Sequence, residues 1–343
     1  MVTIKEIAAA AGVSPAAVSR VLNQDPALSL SVAKRQAILE AAEALQYTTP
    51  RGRRQAAGLL SGSSDTTIAL VHFLSAEAEL GNPYYVAVRL GIEARLRELS
   101  LAPIQLFRNA RNPDLSVLKN VSGIIVVGMH LDEELADLQT YCPNLVAADF
   151  MPGDAQLDCV TCDLGYATDI LMNELGSLGY RRIGFAGGPN DAASPIATMK
   201  ETRYAAYSRW MENAGLYDPD LCAISGFDAQ GGYDATTTIL ASGSRPDVLI
   251  TATDSMAIGA YRAIREKGLS IPADLAVISF NDIPAAQFLV PSLSTVKIFG
   301  EDLGAAALDL LHERLEGRDY TKRISLATKM IWRDSSRKPD PGL

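Results

Sequence analysis

The chain has 343 residues, 48% of them hydrophobic, and a formal net charge of −9. That size supports two or three domains with large cores. No apolar run reaches the roughly 18 residues of a membrane span, and Lys5-Glu6 interrupt the start, so no secretory leader is expected there.

The charge is unevenly spread. Residues 1–55 carry seven Lys/Arg against four Asp/Glu, while the remainder carries 24 against 36. Only the small basic N-terminal stretch is suited to meet phosphates; the acidic body would be repelled.

In chain order, Ile4, Ile7, Ala8 and Ala11 recur at helical spacing, and Gly12 is a C-terminal stop. Ser14 can cap a second helix with Pro15 at its first position, where the missing N–H costs nothing. Val18, Val21 and Leu22 give that helix its own apolar face. Two short helices joined by a turn with Gly predict a helix-turn-helix, with an ordinary helical hairpin as the plainer alternative. Ser31 caps a third helix whose stripe is Ala33, Ala37, Ile38, Ala41 and Leu45. Residues 48–66, basic and then Gly/Ser-rich, read as a linker.

From residue 68 apolar strands alternate with amphipathic helices. Strands are expected at Ile68–Leu74, Ile104–Phe107, Gly123–Val127, Leu145–Phe150, Leu157–Cys162, Ile183–Ala186, Val248–Ala252 and Leu275–Phe280. Helices are expected at about 84–99, 165–178, 199–214, 231–241, 255–267 and 301–316. This order predicts α/β architecture with parallel sheets covered on both faces. A body this long suggests two subdomains, the second beginning near residue 160, with a ligand cleft at the strands' carboxyl ends. The expected domains are therefore 1–47, a 48–66 hinge and a 67–343 core.

Cys159-Val-Thr-Cys162 has CxxC spacing, but in a strand positions three apart face opposite sides, so small buried hydrophobes account for the pair better than a metal or redox site. Scattered cysteines suit a reducing cytoplasm. His72, His130 and His312 form no ligand or triad spacing, and no phosphate loop, nucleophile elbow or dinucleotide fingerprint occurs. No enzymatic activity, cofactor or metal is expected. A sugar carrier of similar two-lobed build is the other reading; the basic N-terminal module argues against it.

The chain resembles the LacI/GalR family of bacterial transcriptional repressors along its whole length. The resemblance rests on Ile4-Lys-Glu-Ile-Ala, Ala11-Gly-Val-Ser, Val18-Ser-Arg-Val-Leu-Asn23, Asn82-Pro-Tyr-Tyr85, Arg203-Tyr-Ala-Ala-Tyr207, Ala252-Thr-Asp-Ser-Met-Ala-Ile-Gly259, Phe280-Asn-Asp-Ile-Pro284 and Pro291-Ser-Leu-Ser-Thr-Val296. It implies a helix-turn-helix domain joined to a periplasmic-binding-protein-like core of two α/β subdomains. It also implies a homodimer on a pseudo-palindromic operator, answering a small sugar or nucleobase. Similarity to repressors of β-galactosidase operons suggests a galactoside. An inducer is the favoured ligand type, a corepressor the alternative.

The resemblance assigns base-edge contacts to positions 15 and 16, but Pro15 and Ala16 offer only apolar contact. Hydrogen-bonded readout then falls to Arg20, which could bridge guanine O6 and N7 or simply be solvated. Thr3, Ser14, Ser19 and Asn23 suit phosphates. The hinge departs from the family pattern: Gln55 or Ala56 stands where relatives place a wedging leucine, and Gly52 weakens a short helix by about 1 kcal/mol. Arg51, Arg53 and Arg54 can enter a narrow minor groove instead.

For the effector, Arg203 matches the family's ligand-binding arginine, with a structural ion pair as the alternative. Asn281 stands where Asp is common and adds a donor. Phe227 could stack on a sugar face, and Asp149 could accept from a hydroxyl. Tyr84 is either cleft floor or buried aromatic, and Asp254 either ligand or helix cap. The last residues, from Arg333, show no leucine heptads, so a dimer is expected rather than a tetramer, with contacts near 84–99 and 255–267.

The hinge reading predicts that changing Arg53 and Arg54 together to Ala weakens operator binding and flattens its dependence on salt. Fluorescence anisotropy across a salt series tests this; an unchanged slope would refute it.

Overall fold

The computed structural model describes residues 66–107, 115–187 and 201–337, together with ten positions of the first 65: Ala8, Gly12, Val13, Ser14, Ala17, Val18, Val21, Lys34, Ile38 and Ala41. The chain forms two compact units, Met1–Asp65 and Thr66–Leu343.

In the first unit the described positions show one helix ending and another beginning. Ala8 is helical and buried, and Gly12 follows at φ +63°. The Val13 N–H donates back to the Ala8 carbonyl at 3.0 Å. This closure around a left-handed residue is a Schellman stop, which glycine enters without steric cost. Ser14 opens the next helix: its Oγ accepts from the Ala17 N–H at 3.2 Å and its carbonyl from the Val18 N–H. Val18, Val21 and Ile38 are buried. Among the residues expected to touch DNA, Ser14 is described, and it is exposed. Thr3, Pro15, Ala16, Ser19, Arg20, Asn23, Arg51, Arg53 and Arg54 lie outside the described residues.

The second unit has two lobes. Lobe 1 begins with β1 (Thr67–His72), α1 (Ala76–Leu80), α2 (Pro83–Leu99), β2 (Ala102–Phe107), β3 (Gly123–Val127), α3 (Asp132–Tyr141), β4 (Leu145–Ala148) and β5 (Asp158–Cys162). Lobe 2 holds α4 (Leu164–Ser177), β6 (Ile183–Ala186), α5 (Thr202–Asn213), β7 (Cys222–Ala223), α6 (Ala229–Ala241), β8 (Val248–Thr251), α7 (Asp254–Glu266), β9 (Ala276–Asn281) and β10 (Ser294–Lys297). The chain then returns to lobe 1 as α8 (Gly300–Leu315) and β11 (Arg323–Leu326), and ends in lobe 2 as β12 (Lys329–Ile331).

The described strands form two six-stranded sheets, ordered β11-β5-β4-β3-β1-β2 and β12-β10-β9-β8-β6-β7. Pairing is parallel except between β10 and β12. The central strands are continuous apolar runs, buried throughout in β3, β4, β6 and β8, because helices cover both faces. Cys159 packs in the core on one face of its sheet and Cys162 beside the core on the other; both are free thiols.

Three crossings join the lobes: after β5, between β10 and α8, and between β11 and β12. The sequence suggests only the first, because α8 looks like any amphipathic helix. Its Leu303, Ala307, Leu308 and Leu311 pack with Ile68, Val88 and Ile125 of lobe 1. A buried carboxylate fastens the return. Asp158 accepts from Arg314 Nε and Arg318 Nη2, each at 2.7 Å, and from the Lys322 N–H at 2.6 Å.

Lobe 2 is closed by an intimate crossing of α6 and α7. A Cβ at Gly259 would overlap the Ala229 carbonyl, and one at Gly232 the Met256 carbonyl. Asp254 sits beneath the carboxyl end of β9. Its Oδ1 accepts from Thr295 Oγ1 at 2.7 Å and its Oδ2 from the Ile283 N–H at 2.8 Å. Burial pushes the carboxyl up to about 6, against the pull of the hydrogen bonds from Thr295, Ile283 and Ser279.

Two predictions follow from lobe 2. Gly259→Ala gains helix propensity of about 1 kcal/mol but forces two backbones apart; urea unfolding should show a net loss of about 2 kcal/mol. Asp254 binds its proton more tightly folded than unfolded, so its contribution is full below about pH 4 and is lost as pH rises through about 6. Relative to Asp254→Asn, the native chain should therefore gain about 2 to 3 kcal/mol on going from pH 7 to pH 4; parallel denaturation curves at the two pH values would contradict this.

Candidate functional site

Both sheets share the winding order 2-1-3-4-5 in their first five strands, which leaves a crevice at the strands' carboxyl ends. The sequence places polar side chains there by short local devices. In lobe 1, Asn82 caps α2 by accepting from the Tyr85 N–H, and Pro83 takes the first helical position. That puts Tyr84 and Tyr85 in the first turn, where both hydroxyls bond Asp149, Tyr84 at 2.6 Å from its Oδ1.

Asp149 follows β4 and is held at φ +73°, a left-handed conformation uncommon for a side-chain-bearing residue and characteristic of functional sites. Burial pushes its carboxyl up; the hydrogen bonds from Tyr84 and Tyr85 and the positive field of Arg203 oppose that. Burial, and then the nearby Asp149 charge, pushes both tyrosine hydroxyls well above their ordinary range, so they remain donors.

In lobe 2, Arg203 is at the start of α5 and 8% exposed. Its Nη1 donates to the Ala252 carbonyl just past β8, and its Nε to Glu201 Oε1 at 2.8 Å. The guanidinium lies 5.5 Å from the Phe227 ring centre and 5.6 Å from that of Phe280. Asn281, at the end of β9, has φ +116°, and the next residue, Asp282, φ +57°. Asp282 is held by Arg333 Nη2 at 2.7 Å and faces Lys297 Nζ at 3.6 Å.

Of the residues expected to bind an effector, Tyr84, Asp149, Arg203 and Phe227 are linked into one constellation, and Asn281 follows the Phe280 that backs the arginine. Asp254 does not line the crevice. It is fully buried, both its oxygens are engaged, and Thr253, not Asp254, caps α7 by accepting from the Met256 N–H. The ion-pair reading of Arg203 also holds, since Glu201 is its partner. Tyr85, Glu201 and Phe280 are members that sequence reading missed. The Asn-Pro-Tyr-Tyr stretch and the Glu201-x-Arg203 spacing carried the signal for the first two. Among the described residues no group of acidic, His or Cys side chains could hold a metal, and no helix is long and apolar enough to cross a membrane.

This constellation, a carboxylate with two phenols in one lobe facing a guanidinium that lies between aromatic rings and is paired with a second carboxylate, is suited to a small polyhydroxylated ligand. Comparison with known proteins agrees with that architecture. The profile of bacterial regulatory proteins of the lacI family matches residues 3–50, and that of a periplasmic binding protein-like domain matches residues 172–336. The HTH-type transcriptional regulator GalR of Streptococcus thermophilus is 32% identical over 98% of this chain and 100% of its own. A lactose operon repressor of Rhizobium radiobacter is 59% identical over 108 residues, 32% of this chain and 96% of that sequence. The Lac repressor dimer bound to operator and the anti-inducer ONPF superposes with a TM-score of 0.67 at 24% identity, covering 97% of this chain and 98% of that one. The chain belongs to the LacI family of bacterial regulatory proteins, and it is a transcriptional regulator rather than an enzyme.

Proposed function

We propose that this protein is a homodimeric repressor that binds a pseudo-palindromic operator and is released from it when a small sugar, foremost a galactoside, occupies the crevice between the lobes. The observation that carries this reading is that Asp149 of lobe 1 lies within the electrostatic reach of Arg203 of lobe 2, each at a strand's carboxyl end. A sugar between them touches both lobes at once. It therefore has a contact set that depends on the angle between lobes, which is what an effector needs to shift an equilibrium.

The galactoside assignment draws support from the partial relative's name, since lactose is a galactoside. Dimerisation draws support from apolar side chains left exposed: Leu90 on α2, Ile258 on α7, and Phe288 and Val290 in the segment between β9 and β10, the last at 87% exposure. In this reading Arg20 supplies hydrogen-bonded base readout, Pro15 and Ala16 apolar contacts, Thr3, Ser14, Ser19 and Asn23 phosphate contacts, and Arg51, Arg53 and Arg54 the hinge's charge. Tyr84, Asp149, Arg203, Phe227 and Asn281 hold the effector, and the protein works in the cytoplasm beside its operator.

The test is titration of lactose and melibiose into a complex of the full chain with its upstream intergenic DNA, followed by gel shift. Release is expected, and Asp149→Asn should retain DNA binding but need at least tenfold more sugar. Tightening on addition of sugar would make the ligand a corepressor, and no response to any sugar would remove the sugar reading.

A further inference from the structure

The arginine in this crevice is not a free cation. Glu201 is already paired with it: one oxygen, Oε1, accepts both the Arg203 N–H at 3.1 Å and Nε at 2.8 Å. The glutamate side chain is nine-tenths buried, and its second oxygen, Oε2, has no hydrogen-bond partner among the described residues. A buried carboxylate oxygen left without a donor is costly, so its presence asks for an explanation.

Charge supplies one. Arg203 is the cation whose field acts on Asp149. With Glu201 bound to it, the guanidinium's charge is already matched by a carboxylate of its own lobe. The neighbouring cations, Arg333 and Lys297, both face Asp282. We propose that Glu201 makes this crevice selective for uncharged ligands: it cancels the guanidinium that would otherwise seat a phosphate or carboxylate, and it offers its own free oxygen to a ligand hydroxyl. Phosphorylated sugars and sugar acids are thereby refused. A neutral polyol is accepted, because its hydroxyls donate to Oε2 and to Asp149 while its oxygens accept from Arg203.

This rests on the crevice being the effector site, so the test separates the two ideas. The full chain, Glu201→Gln and the double variant Glu201→Gln with Arg203→Gln are titrated by calorimetry with inorganic phosphate at constant ionic strength, and in a second arm with lactose, melibiose and cellobiose. Glutamine keeps an acceptor for Arg203 and removes the charge. Glu201→Ser, which also caps a helix, serves as a second uncharged variant, and circular dichroism checks that both fold. The uncharged variants should bind phosphate at least tenfold more tightly than the native chain, the gain should vanish in the double variant, and affinity for the neutral sugar that binds best should fall about tenfold. Equal phosphate affinity in native and uncharged chains, or a gain that survives loss of Arg203, would overturn the proposal. If no neutral sugar binds the native chain, the sugar reading fails, while the phosphate arm still decides the role of Glu201.

Discussion

Parallel strands all end on the same side of their sheet, and this chain exploits that constraint twice. Each lobe winds its first five strands in the same order, so each offers its carboxyl-end loops to the crevice. The loops that matter are short and conformationally expensive. Asp149, Asn281 and Asp282 all sit at positive φ. Such backbone persists only where its surroundings hold it, as the Tyr84 and Tyr85 hydroxyls do for Asp149 and Arg333 does for Asp282. The polar crevice is therefore pre-organised by the scaffold, which lowers the ordering cost of binding.

The three crossings determine what such a crevice can do. In the proposed reading, a ligand that bridges Asp149 and Arg203 acts across a hinge of three chain segments and so biases an angle rather than a single loop. The Asp158 cluster holds the return of α8 and β11 into lobe 1, and Asp254 holds β10 and the segment after β9 together in lobe 2. Each lobe is thus fastened within itself by its own buried carboxylate, and three chain segments connect the two.

Much of this was readable from sequence where a local rule acts alone. Gly12 and Ser14 mark a helix stop and start that need no tertiary help. The central strands β1, β3, β4, β6, β8 and β9 are legible because burial on both faces makes them largely apolar, whereas β10 is not, since its buried positions Ser294 and Thr295 are polar. The edge strands β11 and β12 were not: they are three or four residues long and half exposed, with a mixed pattern that resembles loop. Helix α3 escaped for a similar reason, since an acidic first turn and only two buried leucines give it little periodic contrast. Arg203 and Asp149 are expected at the crevice because the one matches a position in the family resemblance and the other ends an apolar strand, and the structure places both at the strand ends. Glu201 is not expected there, because a single glutamate before a helix reads as surface until its partner is known.

Asp149 and Asp254 show why residue type at a strand end underdetermines role. Both follow a central strand and both are raised by burial. Asp149 receives phenol hydroxyls and the field of an arginine across the crevice, groups that a ligand hydroxyl can supplement or displace. Asp254 receives a backbone N–H and a threonine hydroxyl of its own lobe, on the inner side of the sheet end, and nothing remains for a ligand to gain. The difference lies in geometry two residues wide. β8 ends at Thr251, Thr253 takes the cap, and Asp254 enters α7 facing inward, whereas β4 ends at Ala148 and the left-handed turn at Asp149 aims its carboxylate outward. Backbone conformation, more than chemistry of the side chain, selects which acid faces the crevice.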